Sequence, residues 1–136
     1  MVEEQFVIFV IYGKCNKGDR RDLWHCLENI ASLYEAWLIG GDFNIARSLD
    51  ERLGGNPIDF NAANEFNDFI FKCGLLEFNC LVSALTWKKS SQCLWQKLDR
   101  MLCNIKQKMI FTAISIVHLN REFSDHAPLV GRFKGA

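Results

Sequence analysis

Seven consecutive residues, Phe6-Val7-Ile8-Phe9-Val10-Ile11-Tyr12, are apolar and mostly β-branched or aromatic, and they narrow the folds open to this chain more than anything else in it. An unbroken run of this kind predicts a strand buried on both faces. Gly13 closes it, and a polar loop leads to Asp19. Leu23, Trp24, Leu27, Ile30, Ala31 and Tyr34 then recur at helical spacing, which predicts an amphipathic helix from about Arg20 to Tyr34. Ala36-Trp37-Leu38-Ile39 predicts a second strand, and it runs directly into Gly40-Gly41-Asp42-Phe43-Asn44. The result is a strand–helix–strand unit with polar, chemically capable residues just beyond its second strand.

The stretch from Ala46 to Pro57 is polar and aperiodic and reads as a loop. Asp59 can cap a second helix whose buried face is Ala62, Phe66, Phe69, Ile70 and Cys73, with Gly74 as its left-handed terminator. The remainder is rich in strand signals: Leu76–Cys80, Ala84–Lys88, Gln92–Lys97, Leu98–Cys103, Ile114–Leu119 and Pro128–Phe133, with a short helix over Ile105–Phe111. Two main helices among roughly seven strands predict a layered α/β domain. No internal repeat or low-complexity segment interrupts it.

At 136 residues the chain is one domain by length, and 49% hydrophobic residues supply a sizeable core. Eleven Phe and four Trp argue against disorder and for an interior of large flat side chains. Sixteen basic and sixteen acidic residues cancel, so net charge neither proposes nor excludes a phosphate-binding role. The six cysteines form no C-x-x-C pair and no zinc-finger spacing, and the start of the chain has no secretory pattern. Free thiols in a reducing, intracellular compartment are the expectation. Phe6–Tyr12 is far too short to span a bilayer, so no membrane association is expected.

Three clusters carry chemistry. Gly40–Asn44 lies at the C-terminal end of a predicted buried strand, where α/β sheets usually meet their ligands. Asp42 and Asn44, two apart, would face the same side: an Asp to take a proton and an Asn to hold an oxygen suit the activation of water at a phosphate. G-D-x-N is also a common loop composition. Ser124-Asp125-His126-Ala127-Pro128 offers a hard-metal ligand beside a donor for a phosphate oxygen, or simply a turn. In Trp95–Arg100, Asp99 sits among apolar residues and needs a partner. It could orient the imidazole of His126, or form a salt bridge with an Arg or Lys.

Taken in order, G-G-D-F-N, Thr86-Trp87, Leu98-Asp99-Arg100 and S-D-H-A-P resemble the C-terminal signature of the endonuclease/exonuclease/phosphatase superfamily. Arg20-Arg21-Asp22-Leu23-Trp24, Arg52-Leu53-Gly54-Gly55 and Cys73-Gly74-Leu75 further resemble the endonuclease domain of plant LINE-type retrotransposons. The resemblance implies part of a four-layer α/β/β/α sandwich of the DNase I-like type, and metal-dependent hydrolysis of a nucleic-acid phosphodiester. By that resemblance Asp42 orients or deprotonates the attacking water and Asn44 helps to hold it. His126 contacts the scissile phosphate, supported by Asp99, and Tyr12 matches a phosphate-contacting tyrosine. Asp125, with Asp42, would ligate Mg²⁺ or Mn²⁺. Thr86, Trp87 and Arg100 fall near the nucleic-acid groove, with Trp87 alternatively a core residue. His25 and His118 match no motif. DNA would be the partner, and the nucleus the compartment.

The resemblance also implies an Asn and a metal-binding Glu upstream of Phe6, for which these 136 residues have no counterpart. The expectation is therefore a truncated domain, one unit over 1–136, that binds its metal weakly and is inactive or impaired alone. A non-catalytic binding remnant of a retrotransposon is the alternative. A phospholipid or inositol phosphatase relative is the third, disfavoured by the transposon-like segments.

Overall fold

The computed structural model describes residues 7–13, 16–78, 87–89, 94–118, 126 and 129–135. Nine strands and three helices are formed among them. In chain order they are β1 (Val7–Tyr12), α1 (Lys17–Ala31), β2 (Trp37–Asp42), β3 (Arg52–Leu53), α2 (Phe60–Lys72), β4 (Leu75–Glu77), β5 (Trp87–Lys89), β6 (Leu94–Gln96), β7 (Asp99–Asn104), α3 (Ile105–Ile110), β8 (Phe111–His118) and β9 (Leu129–Gly135).

The principal sheet has the order β1-β2-β7-β4, with β1 and β2 parallel and the other pairings antiparallel. A smaller sheet runs β3-β6-β5, and β8 and β9 form a hairpin. α1 and α2 pack on one face of the principal sheet. On the opposite face β9 comes against β7, where a Cβ placed on Gly131 would lie 3.0 Å from Met101 Sδ. Helices on one side and strands on the other make the layered α/β arrangement.

The helices begin where a side chain can take up an orphan N–H. Asn16 accepts from Asp19 N at 2.9 Å, so α1 starts three residues earlier than its apolar periodicity suggests, and Asp19 becomes a favourable first-turn acid. Asp59 caps α2 through Ala62 N at 3.1 Å, and Gly74, at φ +61°, follows its end in the left-handed conformation. Ala62, Phe66, Phe69 and Ile70 are the buried face of α2, as their spacing requires.

The core between helices and sheet is aromatic. Trp24 stacks on Phe66 at 5.0 Å and on Phe69 at 4.8 Å, and Phe43 stacks on Phe66 at 5.2 Å. Trp37, Ile39 and Leu102 close it from the sheet side. Cys103, fully buried in β7, is a free thiol whose pKa burial pushes up to about 11.

Two expectations are corrected. β1 is not buried on both faces: among the described residues it pairs only with β2, and Phe9 and Ile11 pack against the core while Ile8, Val10 and Tyr12 are exposed. The loop over 46–57 contains a turn of 3-10 helix at Leu49–Glu51 and the two-residue β3, which pairs with β6. Thr86 and Asp125 lie outside the described residues. Trp87 opens β5.

Candidate active site

Strand register assembles the site before any side chain is considered. Tyr12 pairs with Asp42, and Asp42 pairs with Asp99, so the three stand in one row at the end of β1, β2 and β7. Directly paired residues point to the same face of a sheet. Gly41 precedes the row at φ +133°, where a Cβ would run into the Ile11 carbonyl oxygen. Only glycine lets β2 pass this close to β1 and still deliver Asp42 in register.

Beyond Asp42 the chain turns sharply and stays tied to the row. Gly13 N donates to the Asp42 carbonyl at 2.6 Å, and Phe43 N donates to the Leu98 carbonyl at 2.9 Å. The Phe43 side chain, fully buried in the aromatic core, anchors the turn from below. Asn44 takes a positive φ of 53°, a conformation Asn tolerates better than most residues. Its backbone N–H donates to Asp42 Oδ1 at 2.8 Å, and its Nδ2 donates to the Gly13 carbonyl. One carboxylate oxygen of Asp42 is thereby occupied, and the Asn44 amide is fixed with its oxygen available as an acceptor.

His126 completes the group. Its Nδ1 lies 2.8 Å from Asp99 Oδ2 and its Nε2 3.5 Å from Asp42 Oδ2. The carboxylates are 11% and 13% exposed and the imidazole 30%, so the acids sit below and the ring faces outward. A carboxylate on Nδ1 fixes that nitrogen as the proton-bearing one and leaves Nε2 for chemistry. The structure thus brings Asp42, Asn44, Asp99 and His126 together. Tyr12 shares their row, exposed at the strand end.

Arg100 goes elsewhere, and this corrects its expected nucleic-acid contact. Successive strand residues face opposite sides, so Asp99 at the site forces Arg100 toward the helices. There its side chain is 0% exposed. It donates to Glu77 Oε1 at 2.6 Å, to Glu51 Oε1 at 2.9 Å and to the Ile45 and Lys97 carbonyls, and it lies over the Phe66 ring. Lys97 adds a 3.0 Å bond to Glu77. Burial raises the Glu77 carboxyl, but Arg100 and Lys97, by charge and hydrogen bond, outweigh it and hold the pKa below its ordinary value. This cluster fastens the segment after Asn44 to β4 and β7. The pleat alternation was its one sequence signal; Glu51 and Glu77 have none.

A divalent cation of the kind the resemblance implies needs several free oxygen donors in octahedral array. Among the described residues the candidate ligand group is Asp42, Asp99 and His126, with one ligand atom each within 4.8 Å of one another. It fits Mg²⁺ poorly. Asp99 Oδ2 is turned to His126, Asp42 Oδ1 to Asn44 N, and the third donor is a nitrogen. The arrangement is a hydrogen-bonded acid–imidazole–acid chain rather than an oxygen cage.

No protein-family model and no curated protein sequence matches the chain. Solved structures do. The 3'-5' exonuclease NExo from Neisseria meningitidis superposes with a TM-score of 0.71 at 18% identity, over 93% of this chain and 60% of that one. A 3' phosphatase NExo variant from Neisseria, bound to a product DNA hairpin, gives 0.67 at 17% identity, over 87% and 52%. The endonuclease domain of TRAS1, a telomere-specific non-LTR retrotransposon, gives 0.62 at 13% identity, over 83% and 51%. This chain therefore spans between about half and three-fifths of the length of those proteins, and its fold is the DNase I-like fold of endonuclease/exonuclease/phosphatase proteins.

Proposed function

We propose that this chain carries the water- and phosphate-handling part of a nucleic-acid phosphodiesterase of the plant LINE endonuclease type. His126, held between Asp99 and Asp42, is the observation that carries the reading. Asp42 Oδ2 takes the proton of a water that Asn44 Oδ1 orients. The water oxygen attacks phosphorus in line, and the bond to the leaving oxygen breaks. In the reacting form His126 carries a second proton on Nε2, and that N–H donates to a non-bridging oxygen as charge builds there, while Asp99 holds Nδ1–H and keeps the ring aimed. Tyr12 stands at the edge of the row, placed to meet the same phosphate. DNA in the nucleus is the proposed substrate. Asp125 would be an additional ligand for a divalent ion, which would supply neutralisation of phosphate charge.

The described carboxylates make a poor Mg²⁺ cage, so the chain by itself should turn over slowly. Purified protein incubated with supercoiled plasmid should nick it weakly with Mg²⁺ and faster with Mn²⁺, which accepts mixed nitrogen and oxygen donors more readily. Asp42→Asn and His126→Ala should each remove about 10²-fold or more of that rate. Nicking that survives both substitutions would sink the assignment. Rapid Mg²⁺-dependent nicking lost in both would overturn the impairment.

The poor donor set also favours a non-catalytic nucleic-acid-binding remnant. Under that reading Mg²⁺ leaves the melting temperature unchanged, whereas a competent site is stabilised by its metal.

A further inference from the structure

A pocket of about 200 Å³ opens beside Asn44, lined by Arg20, Arg52, Asn44, Ile58, Asp59 and Gln96 among others. Its polar lining is two guanidinium groups and two amides against one carboxylate, and Asp59 Oδ1 is already committed to capping α2. Arg20, in the first turns of α1, is 7% exposed. Arg52 comes from β3, the strand inside the segment that reads as loop. Its Nε is shut off from solvent and has no hydrogen-bond partner among the described residues. Other buried side-chain atoms share that state, at Trp24, Arg100 and Gln107, but Arg52 is the one of these residues that lines this pocket.

Arg52 as a whole is half-buried, but an enclosed, unmet N–H on a cation is costly, and an oxyanion is the partner that relieves it best. Gly55 sits at φ +67°, and a Cβ there would come within 3.2 Å of Arg52 Nη2 and 3.1 Å of a Leu94 methyl. The Arg52-Leu53-Gly54-Gly55 motif therefore has a physical meaning: an arginine, and a glycine that leaves space around its fork. Guanidinium groups pair with phosphate bidentately, which a lysine cannot do. The pocket also adjoins the row at the sheet end, because Asn44 lines it while bonding Asp42 through its N–H.

We propose that the Arg20–Arg52 pocket is an anion subsite that takes one backbone phosphate of a polynucleotide, flanking the phosphate handled by His126. The assignment rests on the nucleic-acid reading above for its substrate class. The subsite positions the strand and carries no base preference.

The test is binding of a fluorescent single-stranded DNA oligonucleotide to the full chain over a salt series, without added metal. Arg52→Gln should weaken binding severalfold and reduce the slope of log K against log salt by about 0.7, the share of one phosphate on a single strand. Arg20→Gln should do the same, and Lys72→Gln, on the far end of α2, should do neither. In ¹⁵N-labelled wild-type protein the Arg52 Nε–H resonance should shift on adding the oligonucleotide and much less on adding inorganic phosphate. That readout needs no variant and holds if the substitutions impair folding. An unchanged slope in a folded Arg52→Gln protein, or an Nε–H signal indifferent to the oligonucleotide, overturns the subsite. An equal response to inorganic phosphate overturns the backbone assignment. The two proposals fail separately: nicking lost in His126→Ala with an unchanged Arg52→Gln slope removes only the subsite. A reduced slope in a protein that never nicks removes only the hydrolytic reading.

Discussion

Asp99 shows how much one carboxylate decides. It stands in register with Asp42 and accepts from His126 Nδ1 at 2.8 Å, so the same side chain that opens β7 sets the imidazole's tautomer. Asp99→Asn keeps size and shape but presents an amide whose N–H₂ can donate to Nδ1 and move the ring proton to Nε2. Imidazole ¹⁵N shifts at neutral pH should report Nδ1–H in the native protein and Nε2–H in the variant, with phosphodiesterase activity reduced about 10²-fold or more. The same tautomer in both would show that Asp99 is a bystander. Much of this residue-scale arrangement was legible in the sequence, because an acid among apolar strand residues must find a partner and His126 was one of the two kinds on offer. Arg100 was misread although the rule that placed it was available. It follows Asp99 in a strand, and a strand cannot show two neighbours to one face. Arg52 could not be read at all, since nothing in R-L-G-G says that its Nε is enclosed.

At the scale of elements, the ion cluster under the site does what no single strand can. Arg100 on β7 bonds Glu77 on β4 and Glu51 in the 3-10 turn, and Arg47 N donates to Glu51 Oε1 at 2.7 Å. The segment that follows Asp42 and Asn44 is thereby held at both ends, by the buried Phe43 and by Glu51. Glu77 titrates below its ordinary value in the folded chain, so its contribution to stability is present above about pH 4.5 and is lost as pH falls through the folded pKa. Urea melts should show a midpoint that drops on acidification below that point. Glu77→Gln should be less stable at neutral pH, because it leaves Arg100 and Lys97 short of a counter-charge, and should lose less on acidification. An acid dependence identical to the native protein's would mean that other carboxylates govern it. Arg100→Met, which takes from Glu51 its cation and from Glu77 the nearest of its cations, should cost about 3–5 kcal/mol. Helices were the elements best read from sequence, because periodicity and caps are local: Asp59, Gly74 and the apolar face of α2 are where the pattern put them. β3 escaped notice because two residues carry no period, and its pairing with β6 is set by contacts more than 40 positions away.

The whole molecule is lopsided, and β1 is where that shows. An unbroken apolar run looked doubly buried, yet hydrophobicity records only that a face prefers to be covered, not that this chain covers it. Phe9 and Ile11 meet the aromatic core, while Ile8 is 53%, Val10 87% and Tyr12 73% exposed. β1 also pairs only with β2 among the described residues, so the other edge of Val7–Ile11 offers backbone donors and acceptors. Val7–Tyr12 holds none of the usual protections, neither charge nor proline. Hydrogen bonding along the edge and burial of the adjoining side chains then act together, and a second copy or a misfolded strand can satisfy both. Val10→Lys places a charge at the most exposed of these positions without touching the core. Its melting midpoint should stay within about 0.5 kcal/mol of the native value, as for an ordinary surface change. Light scattering over a concentration series should show less self-association and a larger soluble fraction, with the aromatic core and the acid–imidazole–acid row intact. Self-association equal to that of the native chain would move the sticky surface away from β1. Glutamate at position 10 should work nearly as well, since what protects an edge is the cost of stripping water from a charge, whatever its sign.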